Sequence, residues 1–205
     1  MGGAVPYLLA TAQGSTSPPP LQEHTIDVPI PPGSDGWLRL MPAGPAPDRS
    51  YWAALKHLGE QVRFDDPSGQ GLLPLLDLHA RIQEELKPDY LLIDSRAGVT
   101  DLGSLATTVL ADTVVCLFVA DEESLDGTLL VAEAVRKAPR LKRQRRIRIV
   151  PVLARTLSAS LTEGLFATGV EQLLELGGER KLLVLSDDEN LNLKLFQELF
   201  SSSNS

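Results

Sequence analysis

The residues most able to do chemistry lie between Pro88 and Asp101, where the chain reads Pro-Asp-Tyr-Leu-Leu-Ile-Asp-Ser-Arg-Ala-Gly-Val-Thr-Asp. An apolar run, Tyr90 to Ile93, ends abruptly in Asp94, and Gly98 follows four residues later. A buried parallel strand with this ending delivers a carboxylate, then a glycine amide, to the carboxyl edge of a sheet, where ligands bind. The carboxylate of Asp94 can hold a water of Mg²⁺. The amide of Gly98 can approach a phosphate closely, because no Cβ stands in the way. Ser95 and Arg96 lie between the two. For Arg96, stabilisation of phosphate charge and a surface salt bridge are both open. The plain alternative for Asp94 is a strand-terminal carboxylate that caps the following turn. Nowhere does the chain contain Gly-x-x-x-x-Gly-Lys-Ser/Thr, the loop whose amides and lysine cradle nucleotide phosphates.

Other reactive residues are sparse. His24, His57 and His79 are scattered without paired ligand spacing. The single cysteine, Cys116, sits in an apolar run, so it reads as a buried, inert thiol and allows no internal disulfide. Asp187-Asp188-Glu189 follows an apolar segment and reads as an acidic helix start rather than a metal site. Arg136, Lys137, Arg140, Lys142, Arg143, Arg145, Arg146 and Arg148 form a basic run in a protein of net charge −8. DNA or acidic lipid is the sharp reading of that run, and a solvated crossover loop the bland one. No aromatic residue is interleaved for base stacking, so nucleic acid is not favoured as a partner.

These residues need elements to place them. The length of 205 residues and hydrophobic content of 43% support one ordinary core, and the aromatic content of 5% makes that core aliphatic. Residues 1–36 are Pro-, Gly- and Ser-punctuated and read as loop, with a helical end near Tyr7 to Ala12. Trp37 to Met41 reads as a short strand, and Leu72 to Leu86 as a helix with Pro74 in its first turn and Lys87-Pro88 at its end. Tyr90 to Asp94 follows as a strand, Leu102 to Leu110 as a short helix, and Thr113 to Ala120 as a strand buried on both faces. Helices are expected over Ser124–Lys137, with Ser124 as cap, and over Leu161–Leu176. Strands are expected over Ile147–Leu153 and Lys181–Leu185. Leu191 to Phe200 is an amphipathic helix before a fraying tail, 201–205. Alternation of strand and helix from residue 72 onward implies an α/β fold of three layers around a mostly parallel sheet.

The order of these features resembles the ParA/MinD-like deviant-Walker branch of P-loop ATPases, over roughly residues 36–200. The resemblance is carried by Asp94-Ser95-Arg96-Ala97-Gly98, by Ala111-Asp112 before the strand Thr113–Val119, by Ser124 and Gly127, and by Leu40-Met41-Pro42-Ala43-Gly44. It implies ATP and Mg²⁺ as ligands of the complete form. Asp94 would then stand in the Mg²⁺ and attacking-water region, Gly98 at the γ-phosphate, and Ser95 and Arg96 within the switch. It also implies sandwich dimerisation around nucleotide and a partitioning or regulatory role. The phosphate loop of the family, Lys-Gly-Gly-x-Gly-Lys, has no counterpart here, and its adenine-reading asparagine is replaced in the stretch Leu153-Ala154-Arg155-Thr156. Arg155 could stack on a base there or remain solvated. The sequence therefore reads as a family member that lacks its first strand and phosphate loop, inactive alone, with a homodimer or protein partner expected. A degenerate, non-enzymatic interaction module is the alternative. The absence of a long apolar segment or a leader pattern sets a cytoplasmic location as the default expectation.

Overall fold

A computed structural model describes residues 2–13, 20–45, 49–62, 70–95, 106–138, 146–156, 165–179 and 181–186. The chain divides into two compact units, Met1–Asp94 and Ser95–Ser205. The division falls inside the stretch 37–200 that the sequence reads as one domain, between Asp94 and the rest of its motif.

In the first unit, α1 (Ala4–Ala12) buries Val5, Tyr7 and Leu8 where composition suggests mostly loop. Its first free amides are satisfied by the strand-exit turn: Ala4 and Val5 N–H donate to the carbonyls of Pro42 and Ala43, both at 2.8 Å. Gly3 is required by this approach, since a Cβ there would lie 2.7 Å from the Pro42 carbonyl oxygen. The strands β1 (Ile26–Val28) and β2 (Leu38–Leu40) pair antiparallel, Asp27 opposite Arg39. Helix α2 spans Arg49–Gln61, and α3 spans Leu73–Arg81 with Pro74 in its first turn. A π-helical turn, Ile82–Leu86, extends α3 and stops at Lys87 in the left-handed conformation (φ 47°), just before Pro88. The Tyr7 ring stacks edge-on against His24 at 5.4 Å, and its hydroxyl accepts from Arg81 at 2.5 Å. That contact ties α1 to α3.

The second unit is an α/β layer pair. Strands β3 (Thr113–Phe118), β4 (Arg148–Thr156) and β5 (Leu183–Ser186) form a parallel sheet in the order β3-β4-β5. Val114 lies opposite Ile149, Phe118 opposite Leu153, and Leu153 opposite Val184. Pro151 sits within the central strand, although proline normally retreats to edges. Between the strands run α4 (Glu122–Lys137) and α5 (Leu165–Gly177). Consecutive parallel strands laid in one direction by crossovers of one hand put both helices on one face. The core accordingly unites Val114, Cys116, Phe118, Ile149 and Leu153 of the sheet with Leu125, Ala132, Val135 and Leu173 of the helices.

Two expectations are corrected. Thr113–Ala120 was expected to be buried on both faces, yet β3 alternates strictly, with Val114, Cys116 and Phe118 buried and Thr113, Val115 and Leu117 exposed. The helices cover one face only; on the other, Val115, Leu117, Leu183 and Leu185 are each more than half exposed. Among the described residues, therefore, the sheet has two layers rather than three. Tyr90–Asp94 is not a strand. It takes no part in a sheet ladder, with Tyr90 86% and Leu92 87% exposed. A strand exists only through its ladder, and among the described residues nothing pairs along the outer edge of β3 or beside Tyr90–Asp94. The helix Leu102–Leu110 is described only as a π-helical turn at Ala106–Leu110. Leu191–Phe200 lies outside the described residues.

Candidate functional site

Of the residues singled out by sequence, Asp94 and Ser95 are exposed and belong to the unpaired stretch after Pro88. Arg96 and Gly98 lie outside the described residues. Arg155 occupies the penultimate position of β4, at the carboxyl end of the sheet. The structure thus assembles no Asp94–Gly98 constellation among its described residues. Asp94 also does not terminate a sheet strand, which was the premise for placing it at a ligand edge. No group of three or more His, Cys, Asp or Glu side chains that could hold a metal ion occurs among the described residues.

The carboxyl edge of the sheet is nevertheless built in detail where β3 passes into α4. Asp121, with extended backbone, caps the helix: Asp121 Oδ1 accepts from the Ser124 amide at 2.7 Å. Ser124 Oγ in turn accepts from Val119 N–H at 3.1 Å, closing the turn against the strand end. Sequence reading gives the cap to Ser124; the structure gives it to Asp121 and turns Ser124 back onto β3. The signal was present, because Asp121-Glu122-Glu123 sets three acids at a helix start, where the positive end of the dipole favours them. This occupation has a chemical consequence. The amides and field that could receive a phosphate at this helix start already serve a carboxylate, flanked by two more negative charges.

The opposite, amino edge of the sheet is held by a cation. Arg136, in the last turn of α4, donates through Nε to the Leu176 carbonyl at 2.5 Å and through a terminal nitrogen to the Ile147 carbonyl at 2.9 Å. It thereby binds the end of α5 and the entrance of β4 to one guanidinium. Arg148 pairs with Glu179 at 2.6 Å, and the bond holds the Glu179 carboxyl below the usual carboxylate range while raising the guanidinium. Burial pushes the Cys116 thiol up to about 11, which agrees with an inert core cysteine.

The first unit carries a cleft of about 530 Å³ lined by Thr11, Ala12, Gln61, Gln70, Gly71, Leu73, Pro74 and Asp77. Asp94 and Ser95 are not among its walls. Asp77 Oδ2 is buried and has no hydrogen-bond partner among the described residues. Because that atom is closed off from solvent, it faces packed protein rather than the open cleft.

No protein-family model, curated protein or solved structure matches the chain.

Proposed function

We propose that this chain is a ParA/MinD-like α/β protein that carries the switch half of a Mg²⁺–ATP site without the phosphate-binding half. The reading rests on one observation: the order Asp94-x-x-x-Gly98, Ala111-Asp112, an apolar strand, then a helix start with Ser124 and Gly127. It is supported by the parallel β3–β4–β5 sheet and by the β3–α4 junction, the elements that such an order requires. In the complete site, Asp94 would hold a water of Mg²⁺, the Gly98 amide would meet the γ-phosphate, Ser95 and Arg96 would line the switch, and Arg155 would face the base. Without the loop lysine and its amides, several charge-assisted contacts worth roughly 1.5–3 kcal/mol each are missing, so ATP binds orders of magnitude more weakly.

The purified chain is expected to show no ATP turnover. Supplied with a separate polypeptide bearing a Lys-Gly-Gly-x-Gly-Lys loop, it is expected to gain Mg²⁺-dependent nucleotide binding that Asp94→Ala removes. The exposure of Asp94 makes that variant a clean test, since its stability should stay within about 0.5 kcal/mol of the parent. Calorimetric titration with ATP and Mg²⁺ decides the matter. Binding that is never gained, or that is indifferent to Asp94→Ala, sinks the reading, and turnover by the chain alone sinks the claim of inactivity.

The second reading, a degenerate module that works only through protein contact, is favoured by the exposure of Asp94 and by the acids that fill the start of α4. It predicts no nucleotide binding in either arm of the titration.

A further inference from the structure

The connection between β1 and β2 is longer than strand pairing requires. It runs from Pro29 to Trp37, nine residues, where hairpins ordinarily use about two to five. With the last residue of β1, its first half reads Val28-Pro29-Ile30-Pro31-Pro32-Gly33. Three rings decide the backbone here. Each proline fixes its own φ at about −65° and bars the residue before it from the helical region. Pro29, Pro31 and Pro32 are restricted directly, and Val28, Ile30 and Pro31 through the ring that follows each. The conformation these limits favour is polyproline II, which needs no internal hydrogen bonds. A tight turn then ends the run. Ser34 N–H donates to the Pro31 carbonyl at 3.1 Å, and Gly33 has φ 83°. Proline followed by a positive-φ glycine at the two central positions is the type II pattern, whose first central residue is itself close to polyproline II.

Polyproline II repeats every three residues. Val28 and Pro31 therefore share one edge, Pro29 and Pro32 a second, and Ile30 stands on the third. Exposure follows the same division. Pro29, Pro31 and Pro32 are exposed, whereas Ile30 is half-buried. Val28, which pairs with Leu38 at the end of β1, is half-buried as well. Residues 33–37 are all exposed, and a Cβ placed at Gly33 or Gly36 would meet nothing within 4 Å. The base of the loop is held by the β1–β2 ladder and by the Asp27–Arg39 ion pair at 2.7 Å. A segment with a fixed base and a ring-restricted backbone loses little conformational freedom when a partner binds it.

We propose that Val28–Pro32 is a ligand for a proline-binding groove on another protein, a shallow surface lined by parallel aromatic side chains. The spacing is apolar-Pro-x-apolar-Pro. Its two apolar-proline pairs, Val28-Pro29 and Pro31-Pro32, suit successive slots between aromatic rings, while Ile30 stays with its own chain. No Lys or Arg occurs between Ile26 and Gly36, and Asp27 and Asp35 flank the motif. The partner's groove therefore has no acidic pocket beside it. The inference stands apart from any nucleotide chemistry.

Titration of known proline-binding modules with the full chain tests it. An SH3, a WW and an EVH1 domain, each isotope-labelled for magnetic resonance, serve as the probes. At least one is expected to bind saturably, with its shifts concentrated on the tryptophan and tyrosine resonances of its groove. Pro29→Ala with Pro32→Ala, both at exposed positions, is expected to weaken that binding by about tenfold or more, with the midpoint of thermal unfolding at the parental value. Ser34→Ala, outside the motif, is expected to change neither. Absence of shifts in all three modules overturns the proposal, as do shifts remote from the aromatic groove. A double variant that binds like the parent overturns it too. So does loss of binding on replacement of Pro18 and Pro19 with residues 28–32 intact, because that result assigns recognition to the other proline run.

Discussion

Burial of Cys116 on the covered side of β3 decides its chemistry. With its thiol pushed up from an ordinary 9.0 to about 11, it remains protonated through neutral and mildly alkaline pH. The thiolate fraction at pH 8 is therefore down by about 100-fold from that of an ordinary thiol. A disulfide-exchange reagent should modify the native protein at least that much more slowly than the protein in guanidinium, and equal rates would contradict the placement of the side chain. Glu179 makes the opposite case, because Arg148 holds its carboxyl below the usual range. A depressed carboxyl contributes stability above its unfolded value, near 4.3, and loses that contribution as pH falls through the lower folded value. Glu179→Gln should thus unfold at a slightly lower temperature than the parent at pH 7, and the two midpoints should converge as the pH falls below the carboxylate range. The effect is small, since the pair is open to solvent.

The elements show which parts of the sequence were legible. Helix α4 could be read because apolar residues recur at helical spacing between an acidic start and a basic end, and only its cap moved, from Ser124 to Asp121. Strand β3 could be read as a strand but not as one-sided. Val114, Val115, Cys116, Leu117 and Phe118 are apolar at both parities, so the period of two that would reveal an open face is absent. Helix α1 was concealed by Gly2, Gly3 and Pro6, whose usual meaning is loop; here the glycines admit His24 and the Pro42–Gly44 turn against the helix start. Tyr90–Asp94 failed as a strand for a reason no local pattern carries, since a ladder partner is a long-range property. Two substitutions test the elements. Asp121→Ala should cost about 1 kcal/mol by denaturant unfolding, as the loss of a side-chain cap does. Gly177→Ala should cost roughly 1–3 kcal/mol, because the added Cβ would meet the Ile149 carbonyl oxygen at 2.5 Å, and backbone on both sides leaves little to yield. A neutral Gly177→Ala would mean that α5 does not approach β4 so closely.

At the scale of the whole molecule, charge and core are each shared out locally. Three of the eight cations in the basic run already have work inside the second unit: Arg136 on two carbonyls, Lys137 on Glu133, and Arg148 on Glu179. With a net charge of −8 around them, the remainder should give little mobility shift of duplex DNA at physiological salt. A shift that disappears in the Arg143→Ala, Arg145→Ala, Arg146→Ala variant would show that the run binds nucleic acid after all. The apolar interior is divided in the same way. Val5, Tyr7, Leu8, Leu21, Leu58 and Leu78 are buried within residues 1–94, whereas Leu153, Ile149 and Leu173 belong to a cluster drawn entirely from residues 95–205. Close-packed interiors transmit a deletion to the side chains that touch it. Leu153→Ala removes a fully buried side chain from the centre of the sheet and should cost about 2–5 kcal/mol. By hydrogen exchange, that loss should speed the amides of β3, β4, β5 and α5 and leave those of α1 and α3 at their parental rates. Tyr7→Phe, which deletes the hydroxyl that accepts from Arg81, should do the reverse. If Leu153→Ala instead speeds every slow amide in the chain by one common factor, the two units unfold as a single cooperative body, and the division of the core does not set the division of stability.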